Sequence, residues 1–102
     1  MGLILTNMIK FKDITLALKR EYFEAIRDGQ KIEEFRLVND YWKKRLEGRK
    51  YDNIILTLGY PKSGDESKRI VRKWKNIPFV VKMISHELFG DDPVMVYAID
   101  VS

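Results

Sequence analysis

Residues 14–38 read ITLALKREYFEAIRDGQKIEEFRLV and contain four structural signals in succession. The apolar run at 14–18 begins with β-branched residues and predicts a strand. Apolar side chains then recur at helical spacing over 19–28, and Gly29 supplies the left-handed residue at which such a helix ends. Residues 31–38 hold several β-forming residues without helical spacing, so they predict a second strand.

The rest of the chain adds one helix and four strands. Asn39 or Asp40 is suited to cap a short helix over 41–47. Residues 51–59 are rich in Ile, Leu and Thr and predict a central strand buried on both faces, and turn residues at 61–68 predict a loop. Because both helices come early and strands follow, we expect an α+β domain with a curled or closed, mostly antiparallel sheet of about six strands. The remaining strands are predicted over 69–75, 79–85 and 94–101.

The composition excludes several classes of protein. The chain has 102 residues, of which 45% are hydrophobic and 33% charged, and this fits one globular domain over residues 1–102. With no cysteine and one histidine, it can form neither a disulfide framework nor a thiol nucleophile, and we expect no metal and no cofactor. Its apolar runs are too short to cross a bilayer and its first residues lack a charged leader, so a cytoplasmic location is expected.

Charge is distributed unevenly along the chain. The net charge is +4, but residues 31–75 carry 13 Lys and Arg against 7 Asp and Glu. Residues 76–102 carry 1 against 4. An excess of positive charge favours a phosphate-bearing partner such as nucleic acid. A solvated basic surface gives the same pattern, and this alternative stays open.

The run from Gly29 to Arg36 brings an amine, carboxylates and a guanidinium together. Alternation along a strand places Glu34 and Arg36 on one face, together with Ile32. Arg36 could then keep the Glu34 carboxylate ionised, or both could face a shared ligand. Lys31 lies just after the turn, so alternation does not fix its direction. A charged outer face of a strand is the alternative interpretation.

The pattern Gly-x-Lys-x-x-Glu-x-Arg, formed here by Gly29, Lys31, Glu34 and Arg36, resembles the signature of the ASCH domain, a member of the PUA-like superfamily. The resemblance covers about residues 14–101. Further stretches similar to small bacterial and phage members of that family are residues 16–26, 41–46, 59–61 and 96–101.

The resemblance implies a small β-barrel with two short helices beside a cleft that binds RNA or a nucleotide through Lys31, Glu34 and Arg36. Some members of the family are enzymes: one branch hydrolyses the acetyl group of acetylated cytidine, and others are described as ribonucleases. In the deacylating branch a Thr nucleophile stands three residues after the motif Lys. This chain has Glu34 there, so an activated water would have to replace the hydroxyl.

Each charged residue of the motif has a chemical role whether the protein binds or catalyses. Lys31 can act as a base if it is desolvated, or bind a phosphate as a cation if it is solvated. Glu34 can take a proton from a water or a ribose hydroxyl. Arg36 can grip a phosphate or carbonyl in two-pronged fashion. If the protein is an enzyme, these three are its predicted catalytic residues.

Aromatic and basic residues outside the motif extend the predicted binding site. Rings that stack on bases, together with cations that neutralise phosphates, hold unpaired RNA. Core packing is the alternative for Trp42 and Trp74, and edge protection by lysine is the alternative for the basic run at 68–75. His86 is expected to be an ordinary strand-end residue. The residues predicted to bind ligand, besides Lys31, Glu34 and Arg36, are Gly29, Tyr41, Trp42, Arg45 and Tyr60.

The sequence therefore predicts an RNA- or nucleotide-binding domain whose partner is single-stranded RNA, a nucleotide or a modified nucleoside. One alternative is an enzyme, either a metal-independent ribonuclease or an amidohydrolase acting on a nucleoside of the 4-acetylcytidine type. A second alternative is a protein-interaction adaptor whose basic face meets an acidic partner. Binding to RNA should weaken steeply with salt, which helps to separate these interpretations.

Overall fold

The computed structural model describes residues 10–102. Two single 3₁₀ turns lie at Glu66–Lys68 and Glu87–Phe89. All predicted helices and strands are present, with ends within two residues of the predicted ones. In chain order the elements are β1 (Ile14–Leu18), α1 (Arg20–Arg27), β2 (Glu33–Leu37), α2 (Asp40–Leu46), β3 (Asn53–Leu58), β4 (Arg69–Lys73), β5 (Phe79–Ile84) and β6 (Val94–Asp100).

The strands form two three-stranded sheets, with strand orders β1-β3-β4 and β2-β6-β5. β1 and β3 run parallel, and the other neighbouring strands run antiparallel. The α+β class and the mostly antiparallel pairing are confirmed. Within residues 10–102 the sheets do not close into one barrel, because β1 and β2 end their respective sheets as edge strands and form no ladder with each other.

The hydrophobic core joins the inner faces of the two sheets. Ile54 and Leu56 of β3 and Tyr97 and Ile99 of β6 are fully buried in it. Their spacing follows the alternation of side chains along a strand, which sends every second residue to the same face. β3 is central in its sheet, as predicted, and Thr57 on its opposite face is also buried.

The two helices cover the core and end as the sequence predicts. α1 buries Phe23 and Ile26, and its chain then reverses through Gly29 at φ +77°. Of the two predicted caps for α2, Asn39 is the one used, since its side chain accepts a hydrogen bond from the Trp42 backbone N–H at 2.9 Å. No helix in residues 10–102 is long and apolar enough to span a membrane.

β2 carries two of the motif residues, Glu34 and Arg36, and its register fixes where they point. Glu34 lies opposite Ile99 and Arg36 opposite Tyr97 on β6. Residues directly opposite each other on neighbouring strands share a face of the sheet. Glu34 and Arg36 therefore share one face, as alternation predicted, and the structure shows that this is the inner face rather than the outer one. Because β2 is an edge strand, they lie where the two sheets meet.

Candidate functional site

A groove runs between β1 and β2, the edge strands of the two sheets. It consists of three adjoining cavities of about 30, 290 and 410 Å³. The first and second cavities share Glu34 and Phe35, and the second and third share Arg36 and Trp42. The groove therefore follows the motif residues from a narrow end to a wide end.

Arg36 connects the two sheets across this groove. Its Nη2 donates a hydrogen bond to the backbone carbonyl of Ala17 in β1, at 3.0 Å. The carbonyl of the next residue, Leu18, accepts from the Gly59 N–H on the β3 side. Backbone groups of successive strand residues point to opposite edges, so the Ala17 carbonyl faces the outer edge of β1. Arg36 supplies that carbonyl with a donor.

Glu34 lies between two cations in the groove. Its Oε2 is 3.1 Å from Arg36 Nη2, and its Oε1 is 3.7 Å from Lys31 Nζ. The Glu34 side chain is 10% exposed, and the two cationic side chains are each 19% exposed. Burial raises the pKa of Glu34, and the opposing effects of Arg36, of Lys31 and of the Phe35 backbone N–H offset this only in part.

The Arg36 guanidinium has further capacity for hydrogen bonding. Its Cζ lies 5.0 Å from the centroid of the Trp42 ring, a cation–π contact that helps to hold the group in the groove wall. Its Nε is buried and is the one buried side-chain polar atom without a hydrogen-bond partner in the part of the chain that the structure describes. An N–H of this kind is costly to leave unpaired, so an additional acceptor in the groove would be stabilised.

The narrow end of the groove surrounds Lys31 with aromatic rings. Lys31 Nζ is 4.4 Å from the centroid of the Phe35 ring and 5.6 Å from that of Tyr22. His86 and Phe89, from the turn between β5 and β6, complete the wall of the smallest cavity. These cation–π contacts direct Lys31 into the groove, which strand alternation alone could not predict.

Aromatic side chains also line the wide end. Tyr60 is 95% exposed, and Tyr41 is largely exposed. Trp42 is half-buried, because it packs against the core as well as lining the groove. Arg69 lies in the same wall, and its Nη1 donates to two backbone carbonyls of the loop before β4. The wide end thus combines exposed rings with a fixed cation.

Two of the predicted binding residues lie behind the groove wall. Gly29 ends α1 and turns the chain toward Lys31. Arg45 stacks on the Tyr41 ring, with its Cζ 3.4 Å from the centroid, and donates to the Tyr41 carbonyl. The predicted residues that the structure brings together in the groove are Lys31, Glu34, Arg36, Tyr41, Trp42 and Tyr60.

The basic run at 68–75 is divided among several structural contacts. Arg72 donates to three backbone carbonyls and is half-buried. Trp74 packs against the Tyr51 ring and the margin of the core. Of this run, Arg69 is the residue that contributes to the groove wall within the described part of the chain.

Sequence reasoning missed several residues at the narrow end. His86 there is not simply a strand-end residue: its Nδ1 accepts the Leu88 N–H at 3.1 Å and begins the turn that carries Phe89 into the wall. Nothing in the sequence relates this turn to a motif more than fifty residues earlier. The helical spacing of Tyr22 beside the motif was the one usable signal. The missed residues are Tyr22, Phe35, His86, Leu88 and Phe89.

Neither a metal centre nor a known relative assists the interpretation of this site. Within residues 10–102, no three His, Asp or Glu side chains are grouped so as to hold a metal ion. Comparison of the chain with protein-family models, curated proteins and solved structures finds no match. The function must therefore be argued from the groove and its chemistry.

Proposed function

We propose that this protein is an ASCH-type domain that binds single-stranded RNA or a nucleotide in the groove between β1 and β2. The observation that carries the proposal is the placement of Glu34 between Lys31 and Arg36, in a groove whose wide end exposes aromatic rings. A buried carboxyl between two cations can accept hydrogen bonds from a base, while the cations bind phosphate or carbonyl oxygen.

The charge of the groove wall supports a phosphate-bearing ligand. Lys19, Lys31, Arg36 and Arg69 line the three cavities, and Glu34 is the one acidic residue among the described residues that do so. A wall with this excess of positive charge attracts the backbone of a nucleic acid and makes its binding sensitive to salt.

The exposed rings favour a ligand with unpaired bases rather than a base-paired duplex. Tyr41 and Tyr60 present aromatic surface at the wide end. A ring of this kind stacks on a splayed base, which a base-paired helix cannot offer. Trp42 adds a further ring, which is already held by Arg36.

The PUA-like fold is part of the same proposal. Its support is the motif, which runs from the end of α1 into β2 and contributes Lys31, Glu34 and Arg36 to the groove. The two sheets, with their two helices, have the element content that the resemblance implies, although they form no closed barrel within residues 10–102.

Catalysis is a second candidate function, favoured by the raised pKa of Glu34. A carboxyl buried in a groove, with its pKa raised by that burial, is suited to proton transfer. Lys31, 3.7 Å away, is placed to hold a carbonyl or phosphate oxygen. In this proposal Glu34 takes a proton from a water that attacks an acylated nucleoside or, in the ribonuclease form, from a ribose hydroxyl.

The proposal is tested by measuring the fluorescence anisotropy of labelled single-stranded RNA with the wild type, Lys31→Ala and Arg27→Ala. Arg27 lies at the exposed end of α1, outside the groove, so its loss removes the same charge without touching the site. Loss of one charge-assisted contact should weaken binding about tenfold in Lys31→Ala. Arg27→Ala should bind within about twofold of wild type.

The same proteins and Glu34→Gln are then incubated with the RNA and with a panel of acylated nucleosides. Product that disappears in Glu34→Gln while binding persists identifies an enzyme. Binding without product identifies a reader of RNA or nucleotide. If RNA binds equally well to Lys31→Ala, the groove proposal is overturned. If neither RNA nor an acylated nucleoside interacts with the protein, the adaptor with an acidic partner becomes the leading interpretation.

A further inference from the structure

We infer that this protein has a second contact site for the same unpaired RNA strand, in a pocket of about 330 Å³ lined by Phe11, Arg49, Lys50, Tyr51, Trp74 and Lys75. We call this the second pocket. The inference extends the proposed function and takes its ligand class from it. Among the described residues, none lines both this pocket and the groove.

The second pocket has a rigid aromatic wall. The rings of Tyr51 and Trp74 meet edge to face, with centroids 4.9 Å apart, and both pack against the core. The Tyr51 hydroxyl donates to the Arg45 carbonyl, and the backbone N–H of Trp74 donates to the Asp52 carbonyl at 3.2 Å, which fixes the chain that carries the Trp74 ring. Rings fixed in this way can stack on a base with little loss of side-chain freedom.

Cations surround these rings. Arg49 is fixed by a hydrogen bond from its Nε to the Lys44 carbonyl at 2.9 Å, which leaves its terminal nitrogens available for a phosphate. Lys50 is exposed. Lys75 Nζ donates to the Ser102 carbonyl at 2.9 Å and lies 3.7 Å from Asp100. No acidic residue lines the pocket in the described part of the chain.

The combination of rings and cations selects the class of ligand. Cations alone could bind any anion, and aromatic rings alone could bind any apolar segment. Together they match the alternation of phosphate and base along an unpaired strand. An acidic peptide supplies the negative charges but not the flat bases, so it should bind the pocket more weakly than RNA.

Helix α2 lies between the two sites in the chain and provides a basic route from one to the other. Its first turn contributes Trp42 to the groove wall, and Arg49 and Lys50 follow its C-terminal end. Its last turn carries Lys43, Lys44 and Arg45, all of which are exposed. A strand that leaves the wide end of the groove along this helix meets these three cations and one acidic residue, Glu47, before it reaches the second pocket.

The two tryptophans of the chain allow each site to be observed separately, because Trp42 lines the groove and Trp74 lines the second pocket. In Trp42→Phe the remaining fluorescence reports on the second pocket, and in Trp74→Phe it reports on the groove. Each variant is titrated with oligouridylates of about four and about twelve nucleotides, the shorter of which fits one site only. Circular dichroism and thermal unfolding verify that both variants fold.

A second variant tests the pocket without altering its rings. Arg49→Ala/Lys50→Ala removes two exposed cations, in either tryptophan background. We expect RNA to quench the fluorescence of Trp74. The affinity obtained from this quenching should fall about tenfold in the Arg49→Ala/Lys50→Ala variant. The Trp42 response to the short RNA should stay unchanged. For the longer RNA, overall affinity should fall in the variant, because the strand loses its second contact.

The outcomes separate this inference from the proposed function. If Trp42 responds and Trp74 does not, the second pocket is overturned while the groove proposal stands. If Trp74 responds and Trp42 does not, the groove proposal fails and the second pocket is the RNA site. If an oligoglutamate peptide quenches Trp74 at the same concentrations as RNA, the pocket binds anions without recognising bases, and the inference is overturned.

Discussion

Glu34 links the protonation of the groove to the stability of the fold. Burial raises its pKa, so the folded protein binds this proton more tightly than the unfolded chain does. Its contribution to stability is therefore complete below the pKa of an unfolded glutamate and is lost as pH rises through the folded pKa. We predict that the melting temperature of the wild type minus that of Glu34→Gln decreases as pH rises above about 4, the pKa of an unfolded glutamate.

Asp65 serves as a comparison, because its pKa is shifted in the opposite direction to that of Glu34. Its pKa is lowered by the Ser67 hydroxyl that donates to it, so its contribution to stability is lost as pH falls through the folded pKa. The same melting-temperature difference for Asp65→Asn should therefore increase with pH, and by less, since Asp65 is more exposed than Glu34. Parallel pH trends for the two variants would contradict the assignment for Glu34.

Arg36 should be the most costly of the groove cations to remove. Its guanidinium contacts the Glu34 carboxylate, the Ala17 carbonyl and the Trp42 ring. Arg36→Met keeps much of the volume but leaves a buried carboxylate and an edge carbonyl without this donor, so we expect a loss of about 2–3 kcal/mol in the free energy of unfolding.

Urea unfolding of Arg36→Met beside Arg45→Met provides the measurement. Arg45 also lies on an aromatic ring and donates to a backbone carbonyl, but it is exposed. Its replacement should change the free energy of unfolding by no more than about 0.5 kcal/mol. Equal losses in the two variants would contradict the expectation that the contacts of Arg36 with Glu34 and Ala17 add to stability.

At the scale of elements, the cap of α2 controls both a helix and a groove residue. Asn39 accepts the backbone N–H of Trp42, whose ring lines the groove. We predict that Asn39→Ala lowers the free energy of unfolding by about 1 kcal/mol. Asn39→Asp keeps an acceptor oxygen and should restore most of this loss. Chemical denaturation followed by tryptophan fluorescence gives both the stability and the environment of Trp42, and a failed rescue would argue against the cap.

The end of α1 depends on the backbone of a single glycine. Gly29 has φ +77°, and a Cβ placed on it would meet no atom within 4 Å. Gly29→Ala should therefore cost only the strain of the left-handed conformation, about 1 kcal/mol. Gly29→Asn should cost less, because Asn tolerates this region better. Thermal unfolding of both variants checks the order, and a larger loss in the Asn variant would contradict it.

Local signals were sufficient to predict the elements and part of the site. The apolar run at 14–18, the glycine after α1 and the cap of α2 each lie within a few residues of what they control. Alternation alone placed Glu34 and Arg36 on one face of β2. These predictions succeeded because the responsible interactions are close in sequence.

Pairing and long-range contacts lay beyond such reasoning. The parallel pairing of β1 with β3 joins strands about forty residues apart, and nothing in either strand specifies it. The direction of Lys31 is set by the rings of Tyr22 and Phe35, and His86 reaches the groove through a turn between β5 and β6. Only the assembled sheets bring these residues together.

At the scale of the whole molecule, Tyr97 ties the second sheet to α2. It is fully buried on β6, and its hydroxyl donates to Glu47 just after the helix. Burial first, and this hydrogen bond second, raise the pKa of Tyr97 to about 12. The stability that depends on its neutral form should be complete below the pKa of an unfolded tyrosine, about 10, and be lost as pH rises through the folded value.

Tyr97→Phe tests this connection. Ultraviolet titration of the wild type should show one tyrosine ionising well above the others, and the variant should lack that step. Wild type should also lose stability relative to the variant as pH rises above about 10. If the late step persists in Tyr97→Phe, the assignment is wrong.

The pairing of β2 with β6 determines when the groove can exist during synthesis. β2 has no strand neighbour other than β6 among residues 10–102, and the two are separated by more than fifty residues. While a ribosome is still translating the codons for 94–100, Glu34 and Arg36 have no sheet to hold them. The groove therefore takes shape only once β6 has left the exit tunnel, so its side chains come together late and in a single step rather than gradually as the chain emerges.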